Sequence, residues 1–162
     1  FNVCGADPDG EFGENHVPET HLIPRIFNMS DFTVYGNDYD TPDGTCIRDY
    51  IHVSDLAEAH IKAADYLYEK KDSMLFDIGS GTGSSVLDVL KVVEKVTGKK
   101  YNVKFSDRRP GDPDRLVSQW THHTETVLGF RHKYNLEDMI RTAYQWEVIQ
   151  ERISNDNSRI CV

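Results

Sequence analysis

Twice in this chain a short run of strand-forming residues meets a turn signal and passes into a capped helix. That alternation of two-residue and 3.6-residue periodicity confines the chain to α/β architectures. The first case runs from Asp40 to Leu56. Pro42 presets its backbone φ, and Asp43-Gly44 is a turn dipeptide. Tyr50, Ile51 and Val53 favour a strand. Ser54 is an N-cap residue, and Asp55 suits the positive end of the helix that follows. The spacing predicts a helix from Ser54 to about Lys70, with Leu56, Ala59, Ala63, Tyr66 and Leu67 as its buried stripe. The second case starts with a strand over Met74–Ile78. It continues through Gly79-Ser80-Gly81-Thr82-Gly83 into a helix whose Ser85 and Asp88 have capping-box spacing. Val86, Val89, Leu90, Val93 and Val96 form that helix's apolar face, and Gly98 ends it.

The remaining chain is punctuated by glycine and proline. Residues 1–19 read as a long polar loop. Leu22, Ile23, Ile26 and Phe27 predict a helix from Thr20 to Met29 with Pro24 in its first turn. Phe32–Tyr35 and Tyr101–Phe105 read as short strands. Thr121 caps a short helix ending at Gly129. Asn135 caps the last helix, whose stripe is Leu136, Met139, Ile140, Ala143 and Trp146. One domain over residues 1–153 and a frayed polar tail over 154–162 are expected.

Several residues have chemistry that local pattern leaves open. Arg48 stands at the mouth of the first apolar run, where a planar cation suits a phosphate or carboxylate; a surface pair with Asp49 or Asp43 is the plainer reading. His21 opens a helix, where free N–H groups suit a phosphate, or it is a cap or surface histidine. Tyr35 ends a strand, placed to stack on a base or to fill the core. The loop Asp107 to Asp114, with Arg115 after it, has its shape fixed by Pro110-Gly111 and Asp112-Pro113. It either grips an anion or pairs its own charges. His122-His123 has no third metal ligand at usable spacing.

The 162 residues carry a net charge of −9. That argues against nucleic acid and against an anionic membrane surface as partners. No run approaches the ~20 apolar residues of a membrane span. Cys4, Cys46 and Cys161 are far apart and odd in number, so no disulfide framework is expected. A reducing, cytoplasmic setting follows. The first residue is not Met and lies in what reads as a strand end, so a piece of a longer protein is expected.

The stretch Thr41 to His60 resembles the C-terminal half of the UDP-glucose 4-epimerases, which are extended short-chain dehydrogenases/reductases. Further motifs agree in order: Phe1 to Ala6, Pro18 to Pro24, Val34 to Tyr39, Phe76 to Gly81, Arg108 to Asp112, Leu128-Gly129-Phe130 and Trp146. The resemblance runs to about Glu147. It implies a small mixed sheet with packed helices, without the N-terminal Rossmann half that carries the NAD fingerprint and the catalytic Tyr-x-x-x-Lys. One such spacing occurs here, Tyr66 to Lys70, and reads as chance on a solvated helix end. No catalytic residue is therefore expected in this chain.

By position, the resemblance places Phe1 against the nicotinamide of NAD. Asn2, His21 and Leu22 would face the diphosphate and sugar of UDP-glucose or UDP-galactose. Thr33 and Tyr35 would flank the uracil, Arg48 and Arg109 bind phosphate, and Asp112 bind ribose. Leu116 stands beside the sugar's 2-position, and leucine there leaves N-acetylated sugars open. His21 replaces an asparagine found in some members. The family's reaction passes through a 4-keto sugar, and its full-length enzymes are usually homodimers, a state the resemblance does not extend to this fragment. UDP-pentose or UDP-uronic acid substrates and a non-catalytic UDP-sugar binder stay open. So does an S-adenosylmethionine-dependent methyltransferase-like module, suggested by Asp77 to Gly83 with Asp107 as the ribose-binding acid.

Overall fold

The computed structural model describes residues 1–70, 72–119 and 121–160, with the last six of these described by backbone alone. Helix α1 is Leu22–Phe27, shorter than the sequence expectation at both ends. Before it, β1 (Asn2–Cys4) pairs in parallel with β4 (Tyr50–His52). Strand β2 (Asp31–Tyr35) pairs in parallel with β6 (Asn102–Ser106), Thr33 opposite Lys104 and Tyr35 opposite Ser106. The pleat turns Phe32 and Val34 into the core and leaves Thr33 and Tyr35 facing out. A third sheet centres on β3 (Ile47–Arg48). It pairs antiparallel with β5 (Ser84–Ser85) and parallel with β7 (Arg115–Leu116).

Helix α2 (Val53–Lys70) begins directly after β4, and α3 (Val86–Thr97) follows β5. The α3 cap is the one its sequence specifies. Ser85 Oγ accepts from the Asp88 N–H, the Asp88 carboxylate accepts from the Ser85 N–H, and Gly98 takes the left-handed conformation at φ 70°. Helix α4 is Thr121–Leu128, and α5 is Leu136–Ile160. Asn135 caps α5 by accepting the Asp138 N–H at 3.0 Å. The α5 backbone stays helical through 154–160, the stretch assigned to a frayed tail, and residues 161–162 lie outside the description.

Two cores result. Ile26, Phe27, Val34, Val89, Val93, Met139 and Ile140 join α1, α3, α5 and β2. Ile51, Ala59, Leu128 and Phe130 form the second, with Phe76 and Ile78 packed against it. The strand expected over Met74–Ile78 is not formed. Residues 72–78 have no ladder partner among the described residues, and strand propensity without a partner leaves backbone groups unpaired. The buried stripe of α2 is also narrower than its pattern predicts. Ala59 is buried, but Leu67 is 52% exposed. Val53, Ile61 and Tyr68 lie on an open apolar face of the same helix. No helix among the described residues is long and apolar enough to cross a membrane.

Candidate functional site

Asp49 lies between β3 and β4 and is completely buried. Its Oδ1 accepts from the Ser80 N–H at 2.9 Å and the Ser80 hydroxyl at 2.5 Å. Its Oδ2 accepts from the Gly81 N–H at 2.9 Å and the Ser118 N–H at 3.0 Å. The glycine-rich loop is thus a working anion cradle, filled by the protein's own carboxylate. Gly79 is required there, because a Cβ would lie 2.4 Å from Asp49 Oδ2. This arrangement overturns the methyltransferase-like reading. The N–H groups it needs are occupied, and no strand ends at Ile78.

The main chain of Asp49 ties two groups of side chains together. Its carbonyl accepts from the Asn2 side chain at 2.9 Å and the Asn2 N–H at 3.1 Å. Its N–H donates to the Leu116 carbonyl at 3.1 Å. On one side is a cavity of about 800 Å³, lined by Phe1, Asn2, His21, Leu22, Tyr50 and Trp146 among others. Thr33, Tyr35, Arg48, Arg109, Asp112 and Leu116 do not line that cavity.

Arg48 is held away from Asp49 and Asp43. One of its terminal nitrogens donates to the Ile47 carbonyl at 2.9 Å and the Pro113 carbonyl at 2.8 Å, and the other sits 3.4 Å from Asp112. Those contacts use three of the five guanidinium donors among the described residues, and the side chain keeps 16% of its surface exposed. Asp112 is thereby an arginine partner as well as a half-buried acceptor. Leu116 stands opposite Arg48 across β3 and β7 and is 51% exposed.

The arginine loop divides its labour. The Arg108 guanidinium lies 4.1 Å from the Tyr39 ring centroid and pairs with Asp38 and, at 3.7 Å, with Asp114. Its hydrogen bond with Asp38 holds that exposed carboxylate below the usual range, although slight desolvation opposes the shift. Arg109 instead lies 4.0 Å over the Tyr35 ring. Tyr35 and Arg109 together present a planar, partly cationic surface beside Thr33. The sequence could assign the loop to either self-pairing or ligand binding. In the fold, Arg108 does the first, while Arg109 stacks on Tyr35.

On the cavity side, His21 is N-terminal to α1 but makes no side-chain cap. Its Nδ1 is 2.6 Å from Glu14 and 3.1 Å from Glu19. Two acidic neighbours make this a poor anion site as it stands, and no local pattern signals that Glu14 converges there. Phe1 lines the cavity with 44% of its surface exposed. An apolar ring at that mouth fits one face of a nicotinamide but supplies no hydrogen bond, so this chain's share of an NAD site would be a packing contact. Tyr66 meets Phe76 edge-on at 5.9 Å on α2, away from both groups.

Asp49 and Asp55 are the residues that sequence reasoning missed. Asp55 was given to the helix dipole, but it is buried and accepts the Lys133 and Tyr134 N–H groups at 3.1 Å. An acidic residue just before or just after an apolar run was the available signal in both cases.

The family model described as GDP-mannose 4,6 dehydratase matches residues 1–143. The UDP-glucose 4-epimerase of Rhizobium meliloti (strain 1021) is 44% identical over 151 residues, which are 90% of this chain and 46% of that protein. The crystal structure of UDP-glucose 4-epimerase from Brucella ovis in complex with NAD is 44% identical with a TM-score of 0.82. It covers 90% of this chain and 47% of its own. The Bifidobacterium longum enzyme in complex with NAD+ and UDP is 35% identical with a TM-score of 0.80, covering 91% of this chain and 45% of its own. The chain therefore spans about half the length of the relatives it matches, and the similarity to UDP-glucose 4-epimerases read from its motifs holds. A family match running from residue 1 to residue 143, on a fold that superposes on those enzymes, makes this chain a member of the GDP-mannose 4,6 dehydratase family.

Proposed function

We propose that this chain is the substrate-binding part of a UDP-glucose 4-epimerase, an isomerase interconverting UDP-glucose and UDP-galactose through a 4-keto sugar. The observation that carries the reading is the pairing of Arg48, fixed by two carbonyls and Asp112, with Arg109 laid over Tyr35. One guanidinium fixed by three contacts and a second stacked on an aromatic ring match a diphosphate joined to a planar base.

In this reading Tyr35 and Thr33 flank the uracil. Asp112 accepts from the ribose hydroxyls, and Arg48 and Arg109 neutralise the diphosphate. Leu116 borders the sugar, and Asn2, His21 and Leu22 line the cavity into which the hexose projects. Holding the nucleotide handle firmly while leaving the hexose free lets the ring present either face. Remote binding energy then keeps the reacting carbon in place. NAD, when bound, supplies the hydride acceptor at sugar C4, and in this chain Phe1 alone would flank it. The proton-transferring tyrosine belongs to the part of the relatives' length that this chain does not span. The open apolar face of α2 at Val53, Ile61 and Tyr68 supports packing against such a part. A cytoplasmic setting accords with the buried, unpaired Cys46.

The test is thermal unfolding of the purified chain with UDP and with UDP-glucose, beside Arg48→Ala and Arg109→Ala. A ligand that binds only the folded state raises the midpoint. Stabilisation by both ligands, lost in each variant, is expected. Midpoints unmoved by either ligand in a cooperatively unfolding chain would refute the clamp. For the whole protein, an adjoining reading frame with a Gly-rich dinucleotide fingerprint and a Tyr-x-x-x-Lys pair is expected.

A further inference from the structure

Four metal-ligating side chains converge at one rim of the cavity. Glu14, His16, Glu19 and His21 each offer one donor atom, and all four atoms lie within 4.8 Å of one another. His21 Nδ1 is 2.6 Å from Glu14 Oε1 and 3.1 Å from Glu19 Oε1, and His16 Nδ1 is 3.9 Å from Glu19 Oε1. The two imidazoles lie 5.2 Å apart, centroid to centroid.

We propose that Glu14, His16, Glu19 and His21 form a binding site for a divalent transition-metal ion of the zinc class. Tetrahedral zinc with bonds of ~2.0–2.1 Å sets its donors roughly 3.4 Å apart. The observed separations of 2.6, 3.1 and 3.9 Å bracket that value, so closing around an ion needs only small side-chain movements. Glu19 Oε1 already accepts from the His21 backbone N–H at 2.6 Å, and the one hydrogen that His21 Nδ1 can carry is shared between Glu19 and Glu14.

The donor set selects the metal. Two imidazoles with two carboxylates suit zinc, cobalt or nickel. Magnesium and calcium prefer all-oxygen shells, and no thiolate is present to favour copper(I). The loop carrying the ligands is also seated. Trp146 Nε1 donates to the Glu14 carbonyl at 2.8 Å. Gly13 packs so closely on that indole that a Cβ would lie 2.2 Å from its Cγ. Neither contact involves the proposed donor atoms, so the ligand geometry is supported from outside.

Glu14, Glu19 and His21 also line the cavity. Without a cation, two carboxylates stand at its rim; a divalent ion would cancel both charges. This consequence rests on the proposal that a nucleotide-sugar projects its hexose into the cavity, whereas the metal site itself does not.

The test is calorimetric titration of the chelator-treated chain with zinc chloride, with no nucleotide present. Glu14→Gln and His16→Ala act on exposed side chains, and matching far-UV circular dichroism confirms that each variant folds. One saturable equivalent is expected in the parent, weakened at least tenfold in each variant. His122→Ala, at the other histidine pair, is expected to bind as the parent does. Cobalt(II) is expected to give a tetrahedral spectrum without a thiolate charge-transfer band. Absence of a saturable equivalent, undiminished binding in both cluster variants, loss in His122→Ala, or a thiolate band would each overturn the proposal. Because UDP is absent, these outcomes are separate from the failure of the UDP clamp.

Discussion

Removing the Asp49 carboxylate tests whether one buried anion organises the glycine loop. In Asp49→Ala the N–H groups of Ser80, Gly81 and Ser118 lose their acceptor. Ser118 is 4% exposed, so its orphaned N–H carries the full penalty of about 1–3 kcal/mol. Ser80 and Gly81 are only partly buried, so water replaces part of what they lose, at about 0.5–1.5 kcal/mol each. The total is roughly 2–6 kcal/mol, a large share of the ~5–15 kcal/mol typical of a domain. Asp49→Asn should cost less, about 2–3 kcal/mol. With its amide nitrogen turned toward Ser80, it keeps an oxygen for Gly81 and Ser118, and the Ser80 hydroxyl can rotate to accept. Urea unfolding followed by far-UV circular dichroism measures both. At a slope of ~2 kcal/mol per molar urea, the alanine variant's midpoint falls by roughly 1–3 M. A loss below about 1 kcal/mol for alanine, or a greater loss for asparagine than for alanine, would refute the account.

His52 predicts a pH dependence. The side chain is completely buried, its Nδ1 accepts from the Ser54 N–H at 3.0 Å, and its Nε2 is 3.0 Å from Thr142 Oγ1. It stacks on Tyr134 at 4.0 Å and faces Asp55, Asp138, Arg141 and Asp7 electrostatically. Burial lowers its pKa, against the pull of Asp55 and Asp138. Below the unfolded value of about 6.5 the unfolded chain therefore binds the proton first. Stability should fall as pH drops from 7.5 to 5.5, and His52→Gln should flatten that slope in urea titrations; an unchanged slope would contradict it. Burial also pushes the Cys4 thiol up to about 12, leaving roughly one thiolate in 10⁴ at pH 8. Iodoacetamide labelling followed by mass spectrometry should find Cys4 far slower than a free thiol, and comparable rates would refute that.

Helix α3 was legible because every signal for it is local: Ser85, Asp88, the valine stripe and Gly98 lie within fifteen residues. Strands β3, β5 and β7 were not. Each is two residues long and exists only through partners far along the chain. At Met74–Ile78 strand propensity pointed the wrong way, since a strand is made by its neighbour and not by its own residues. At the candidate site, chemistry and resemblance single out Arg48 and Arg109 but not the partners that hold them. Asp112 and the Pro113 carbonyl reach Arg48 across more than sixty residues. The glycine loop left a methyltransferase-like reading open because its occupant, Asp49, is thirty-one residues upstream of Ser80.

Asp49 touches three segments that share no sequence neighbourhood: β1 through Asn2, the glycine loop through Ser80 and Gly81, and β7 through Leu116 with Ser118 just beyond it. Such a residue makes local opening all-or-none. Releasing one segment weakens the hold on the other two, so the three become one cooperative foldon rather than three independent loops. For evolution or engineering, the rim of the cavity and the strand beside Arg48 then share one tolerance for change. A destabilising substitution in either draws on the same reserve, and its effects add less simply than their separation in sequence suggests.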